Sequence, residues 1–194
     1  MDKKQFNDKL LEFIKKSTCS YTCVKEIKEI LDKSGFIELN EYENWTFSGN
    51  KYYIVRNDAS IIAFEFPNQN PRSFLITTTH CDTPSLILKP NGQYIKENYL
   101  KYNIMPYGGL LNYGWLDHPL SLAGRLVLKE NNELKTKIVD FKKPVFIVPS
   151  VAIHQNDKAN TNLDLNMQID LQPIASLSKK NNSWDKILDK IETG

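Results

Sequence analysis

The sequence predicts an α/β fold in which two helices open the chain and strands form most of the remainder. Apolar residues recur at helical spacing over residues 4–16 and 21–34. From residue 51 onward, β-branched and aromatic runs alternate with turn signals, which is typical of strands. We place a domain boundary near residues 90–100, which gives two predicted domains, 1–90 and 91–194.

The two predicted helices each present one apolar face. In the first helix this face comprises Phe6, Leu10, Phe13 and Ile14. In the second it comprises Val24, Ile27, Ile30 and Leu31. Gly35 follows the second pattern directly and predicts the end of that helix, because glycine readily adopts the left-handed conformation of a helix terminus.

Four strands are predicted next. The runs "KYYIVRN" and "ASIIAFEF" meet near Asn57 and Asp58, a pair that favours a hairpin turn. "SFLITTTH", residues 73–80, is apolar enough at its start to predict a central strand, and "SLILK", residues 85–89, predicts a fourth.

The second half of the chain is also rich in predicted strands. Gly108 and Gly109 mark a loop, and residues 124–141 read as a hairpin that turns at Asn131 and Asn132. Residues 144–154 are apolar and extended, and residues 176–183 form a polar linker. A short amphipathic helix is predicted at the C-terminal end from Trp184, Ile187, Leu188 and Ile191.

The composition argues against several classes of protein. The 194 residues are 41% hydrophobic and 25% charged, which is near the globular average. A net charge of +2, with both signs dispersed along the chain, does not favour a nucleic-acid partner. No apolar run reaches the roughly 18–20 residues of a membrane span, and the N-terminus lacks the apolar core of a signal peptide. Three cysteines, an odd and small number, do not suggest a disulfide framework. Together these observations lead us to expect a cytoplasmic protein with no membrane partner.

His80 and Asp82 are the leading candidates for chemistry. Residues i and i+2 of an extended segment point to the same face, so the two side chains can converge. Imidazole is a good zinc ligand, and a carboxylate often holds a ligating imidazole in the required tautomer. The alternative is an ordinary turn in which Asp82 binds backbone groups ahead of Pro84.

The other candidates are weaker. Cys19 and Cys23 form a C-x₃-C pair without further ligands at matched spacing, which favours ordinary thiols over a structural zinc site. Side chains alternate in direction along an extended backbone, so Cys81 points away from His80 and Asp82. This argues against a nucleophilic pair of cysteine and histidine. Asp117 and His118 could form a second metal pair, but adjacent side chains usually diverge. His154 ends an apolar run, where a histidine is more often structural than catalytic.

Five ordered segments, which cover about residues 13–174, resemble the motifs of the aspartyl aminopeptidase family of zinc metallopeptidases. "FIKKSTCSYTCV" resembles Phe-(x)-Ser-Pro-Ser-Pro-Tyr-His-Ala-Val, and residues 34–64 resemble Gly-Phe…Trp…Gly-Lys-Tyr-Tyr…Arg-Asn…Ile-Ala-Phe. "HCDTPSLILKP" resembles His-Thr-Asp-Ser-Pro…Lys-x-Lys-Pro. "YGG…WLDHPLSLAGRLVL" resembles Tyr-Gly-Gly…Trp-Phe-Asp-Arg-x-Leu-Ser-x-Ala-Gly-Arg-Val. "VPSVAIHQN…LNMQIDLQPI" resembles Ile-Pro-x-Leu-Ala-Ile-His-x-Asn…Leu-Asn-Pro-Gln.

The resemblance implies a peptidase that uses two zinc ions to remove single N-terminal residues from peptides, with acidic residues suggested by the family name. It implies that residues 1–90 begin an α/β peptidase domain and that residues 91–194 begin a β-rich dimerisation insert, through which the protein would form homo-oligomers. It implies that His80 binds one zinc, that Asp82 supports that catalytic site, and that His154 reaches into the active site of a dimer partner to hold substrate.

The sequence also departs from the family pattern. The motif Asp-x-Glu-Glu-Val-Gly-Ser, which carries the general base, has no counterpart here, and no Glu-Glu pair occurs in the chain. Cys81 stands in place of threonine, while His118 and Asp157 each stand in place of arginine. We therefore expect a truncated chain that is inactive alone. The alternative is a non-enzymatic module that dimerises with itself or joins a full-length enzyme.

Overall fold

The structure is a computed structural model that describes residues 2–66 and 71–177. The chain divides into two compact units. Unit 1 contains the residues up to Thr83 together with Ala123–Asp140, and unit 2 contains Pro84–Leu122 and the chain from Phe141 onward. Three small sheets and two α-helices within the described residues make the fold mixed α/β. None of the helices described is long and apolar enough to cross a membrane.

Both predicted helices are present in unit 1. Helix α1 spans Lys3–Lys16, and the side chain of Asp2 accepts a hydrogen bond from its first turn. Helix α2 spans Ser20–Lys33 and ends as predicted at Gly35, which has a φ of +80°. The amide of Gly35 donates to the carbonyl oxygen of Asp32 at 3.1 Å, and the amide of Phe36 donates to the carbonyl oxygen of Leu31 at 3.0 Å. These two hydrogen bonds form a Schellman motif.

A three-stranded sheet follows the helices in unit 1. Its strands are β1 (Ile37–Glu38), β2 (Lys51–Arg56) and β3 (Ser60–Glu65), in the order β1-β2-β3. The predicted hairpin between β2 and β3 is confirmed, and Asn57 and Asp58 both have positive φ, as a type I′ turn requires. The two tyrosines of β2, Tyr52 and Tyr53, are buried.

The predicted central strand at residues 73–80 is wrong for this structure. Residues 71–84 contain no strand, although the backbone runs without a helix or tight turn. Phe74, Leu75 and Ile76 are highly exposed, and Leu75 retains 98% of its accessible surface. Composition correctly identifies a β-prone segment, but a strand also needs a neighbour to supply hydrogen bonds. No described strand pairs with this segment.

The predicted hairpin at residues 124–141 is confirmed. It consists of β7 (Ala123–Glu130) and β8 (Glu133–Asp140), and it turns at Asn131 and Asn132, which both have positive φ. The hairpin belongs to unit 1, where it packs against α2, and Arg125 places its guanidinium 5.0 Å from the centre of the Tyr21 ring.

Unit 2 is built on a five-stranded sheet with the order β4-β5-β10-β9-β6. Its strands are β4 (Ser85–Lys96), β5 (Tyr99–Tyr107), β6 (Pro119–Leu120), β9 (Phe146–Ile147) and β10 (Ile174–Leu177). A 3-10 helix spans Asn112–Trp115. The buried core of this unit comprises Leu100, Tyr102, Ile104, Phe146, Val148 and Leu171.

The predicted division of the chain into 1–90 and 91–194 stays a prediction. In the structure, residues on either side of position 90 belong to one strand, β4, which has a register shift between Leu88 and Gln93, and the chain passes from unit 1 to unit 2 between Thr83 and Pro84. The assignment of the two parts to a peptidase domain and a dimerisation domain stays a prediction. The predicted C-terminal helix lies outside the described residues. The predicted polar linker, residues 176–183, begins with two residues that belong to β10, and its remainder lies outside the described residues.

Candidate functional site

The structure brings His80 and Asp82 together at the end of the extended segment 71–84. Nδ1 of His80 lies 2.8 Å from Oδ1 of Asp82. Since an ionised carboxylate only accepts hydrogen bonds, the ring donates through Nδ1–H and leaves Nε2 as the nitrogen able to bind a metal ion. The His80 side chain keeps 88% of its accessible surface, so Nε2 lies on an open face. The i, i+2 spacing therefore yields an oriented, accessible imidazole.

The described residues supply only part of a zinc site. A catalytic zinc usually takes three protein ligands, from His, Cys, Asp or Glu. No group of three or more such residues that could hold a metal ion occurs within residues 2–66 and 71–177. The His80–Asp82 pair fits the role of one ligand with its supporting carboxylate, but the donor set for a complete centre is not present in this part of the chain. No catalytic step through a metal can be assigned to these residues alone.

His154 lies in an exposed turn of unit 2 and is not a core residue. The apolar run that precedes it pairs only at Phe146–Ile147 and through a bridge between Leu116 and Val148. Beyond this point the chain turns, and the amide of Gln155 donates to the carbonyl oxygen of Ala152 at 2.8 Å. An exposed imidazole on such a turn is available to a ligand or to another chain.

Asp117, the first residue of the possible second metal pair with His118, is held by hydrogen bonds to the chain near Ser150. The Asp117 backbone has a positive φ, and its Oδ1 accepts a hydrogen bond from the amide of Ser150 at 2.9 Å. The amide of Asp117 donates to the carbonyl oxygen of Val148 at 2.8 Å. The hydrogen bonding to Ser150 lowers the pKa of the Asp117 carboxyl. Asp117 thus connects to both Val148 and Ser150 through hydrogen bonds.

The three cysteines are unbridged. Cys23 is buried on α2, whereas Cys19 and Cys81 are partly buried. Burial raises the pKa of the Cys23 thiol.

Comparison with known proteins identifies what the chain resembles. Residues 13–192 match the profile of the family "Aminopeptidase I zinc metalloprotease (M18)". A probable M18 family aminopeptidase 2 from Clostridium novyi (strain NT) is 41% identical over 182 residues, which are 91% of this chain and 42% of that protein. A protein of the same name from Pseudomonas aeruginosa (strain LESB58) is 35% identical over 173 residues, which are 88% of this chain and 40% of that protein.

Solved structures give the same result for the fold. A chain in the cryo-EM structure of the Ape4 and Nbr1 complex superposes with a TM-score of 0.83 at 33% identity, covering 88% of this chain and 34% of that one. An M18 aminopeptidase from Thermotoga maritima superposes with a TM-score of 0.77 at 28% identity, covering 96% of this chain and 43% of that one. A chain of the S. cerevisiae mApe1 dodecamer superposes with a TM-score of 0.69 at 29% identity, covering 89% of this chain and 38% of that one. The chain thus spans about two fifths of the length of the Clostridium and Pseudomonas relatives.

Proposed function

The chain belongs to the M18 family of aminopeptidases, and from this premise we propose that it is the N-terminal part of a cytoplasmic, zinc-dependent enzyme that removes single residues from the amino termini of peptides. The observation that carries the proposal is the match of residues 13–192 to this family. The orientation of His80 by Asp82 supports it, because this is the arrangement that a metal-binding imidazole needs.

The proposed roles follow from the chemistry of the side chains. His80 would bind zinc through Nε2, and Asp82 would hold the ring through Nδ1. When bound, zinc would polarise the scissile carbonyl and activate a water molecule. His154 would contact the peptide in the active site of a second copy, as the family resemblance implies, and its position on an exposed turn of unit 2 is compatible with that role.

We propose that the 194-residue chain is inactive alone and that the remaining ligands and the general base come from the part of the enzyme that it lacks. The chain spans 42% of the Clostridium novyi relative, and its described residues offer no third ligand beside His80. The exposure of Phe74, Leu75 and Ile76 supports this proposal, because an apolar, β-prone segment of this kind is expected to pair with another strand.

The test compares the chain alone with the same chain fused to the part of the Clostridium novyi aminopeptidase that lies beyond the matched region. Hydrolysis of aspartyl, glutamyl and leucyl p-nitroanilides is measured with added zinc and with a chelator. We expect no zinc-dependent release from the chain alone, and release from the fusion that His80→Ala abolishes. Lys129→Ala, an exposed change on β7, serves as the control that preserves activity. Zinc-dependent release by the chain alone would overturn the proposed inactivity.

The second candidate function is a non-enzymatic module that dimerises with itself or joins a full-length enzyme. The incomplete donor set in the described residues favours it. The nucleotide sequence after codon 194 separates the two candidates, since a continuing frame that encodes Asp-x-Glu-Glu-Val-Gly-Ser favours the enzyme. Self-association of the chain, measured by light scattering, would test the proposed oligomerisation through the β-rich part.

A further inference from the structure

Asp117 binds both ends of the tripeptide that leads into the His154 turn. The amide of Asp117 donates to the carbonyl oxygen of Val148 at 2.8 Å. Its carboxylate oxygen Oδ1 accepts a hydrogen bond from the amide of Ser150 at 2.9 Å. Pro149 lies between these two residues, and its ring fixes φ and so removes one backbone rotation from the tripeptide. One residue therefore holds the chain at Ser150, four positions before His154 (154 minus 150).

The residues around Asp117 hold its carboxylate in place. Leu116, directly before it, packs against a buried cluster that includes Val148 and forms a β-bridge with Val148. The backbone of Asp117 has a φ of +59°, a left-handed conformation that residues other than glycine adopt only at a cost. Such a conformation persists where surrounding contacts impose it, and it is found most often at functional sites. This strain is a second sign that the position of the Asp117 side chain matters.

The fixed point on the other side of the turn lies further from His154. It is Leu165, which packs against the same buried cluster as Leu116, eleven positions after His154 (165 minus 154). The turn itself is closed locally, since the amide of Gln155 donates to the carbonyl oxygen of Ala152 at 2.8 Å. A locally closed turn moves as one piece, so the placement of His154 depends most on its nearer attachment.

We propose that Asp117 is a positioning residue for His154, because it holds Ser150 and thereby fixes where the turn presents the exposed imidazole. A hydrogen bond from an amide to a carboxylate is stronger than one between neutral groups, which suits this task. All of these residues belong to unit 2. An effect on peptide hydrolysis rests on the proposed function, whereas the fixing of the turn by Asp117 does not.

Three variants separate the carboxylate from the backbone strain. Asp117→Gly removes the hydrogen-bond acceptor, while glycine adopts a positive φ without penalty. Asp117→Asn keeps an acceptor oxygen, and asparagine also tolerates a positive φ. The matched control is Asp58→Gly on the hairpin of unit 1, because Asp58 has nearly the same φ, +57°, and its carboxylate contacts Arg125 at 3.5 Å rather than the His154 turn.

The first measurement uses the 194-residue chain and does not depend on activity. Hydrogen–deuterium exchange of peptides covering residues 150–156 should become roughly tenfold faster in Asp117→Gly, as expected for the loss of one hydrogen bond. Asp117→Asn should restore most of the protection, and Asp58→Gly should leave it unchanged. The imidazole resonances of His154 should shift in Asp117→Gly, while those of His80 stay in place. Unchanged exchange and an unchanged His154 resonance would overturn the proposal.

The second measurement is a double-mutant cycle in the fusion enzyme described above. Asp117→Gly should lower kcat/KM by roughly tenfold to a hundredfold, mainly through a higher KM, because a displaced His154 no longer holds substrate. In a His154→Ala background the same change should cost less than about twofold, since the side chain that Asp117 positions is gone. Equal losses in both backgrounds would overturn the positioning role, because a purely structural defect is additive.

Failure of the proposed function gives a different result. A fusion without zinc-dependent release would contradict that function, while the exchange rates and the His154 resonance would still decide whether Asp117 fixes the turn. An active fusion with equal losses in both backgrounds would contradict the positioning role alone.

Discussion

Replacing Leu171 by alanine should destabilise unit 2 strongly. Leu171 is fully buried against Ile104 and Val148. The change removes three carbon atoms from this cluster, and their transfer to water costs about 2.4 kcal/mol at roughly 0.8 kcal/mol each. The cavity left behind adds to this cost, which brings the expected loss in the free energy of unfolding to about 3–4 kcal/mol. The affected cluster supports the strands that precede the His154 turn.

The assay is hydrogen–deuterium exchange measured by mass spectrometry, because it reports each unit separately. Peptides from β5 and β9 should exchange roughly 150- to 700-fold faster in Leu171→Ala, while peptides from the β2–β3 hairpin should be unchanged. The matched control is Leu111→Ala in the same unit, where the leucine is 67% exposed and its loss should cost less than about 0.5 kcal/mol. The reasoning is refuted if Leu171→Ala costs under about 1 kcal/mol, or if both variants cost the same.

Three further predictions concern single residues, each measured by chemical denaturation. Gly92→Ala should destabilise the β4–β5 pair by about 1–3 kcal/mol, because an added Cβ would come within 2.8 Å of a backbone carbonyl oxygen; an unchanged midpoint would contradict this. Tyr53→Phe should cost about 1–2 kcal/mol, since it removes a 2.6 Å hydrogen bond from the hydroxyl to Asp32; a neutral effect would show that the bond contributes nothing. The hydrogen bond to Ser150 lowers the pKa of the Asp117 carboxyl in the folded chain. The stability that this bond contributes is therefore present above the ordinary pKa of 3.8 and is lost as the pH falls below it. Asp117→Asn should remove that part of the dependence of stability on acid pH, and an identical pH profile would refute the assignment.

Local patterns of sequence predicted the elements that are stabilised by contacts between near neighbours. Both helices, the end of α2 at Gly35 and the hairpins at Asn57–Asp58 and Asn131–Asn132 lie where spacing and turn chemistry place them. These features depend on interactions within a few residues, which a single sequence contains. The convergence of His80 and Asp82 belongs to the same class, because alternation along an extended backbone is local geometry.

Only the tertiary structure decided the features that depend on distant partners. Residues 73–80 have the composition of a buried strand, but the described chain provides no neighbour to pair with them. The hydrogen bonds from Ser150 to Asp117 and from Tyr53 to Asp32 join residues that spacing cannot relate. The sequence by itself thus determined which segments fold locally and which side chains could bind a metal. The pairing of segments was decided by long-range contacts, since backbone hydrogen bonds and buried surface need two partners that the fold must bring together.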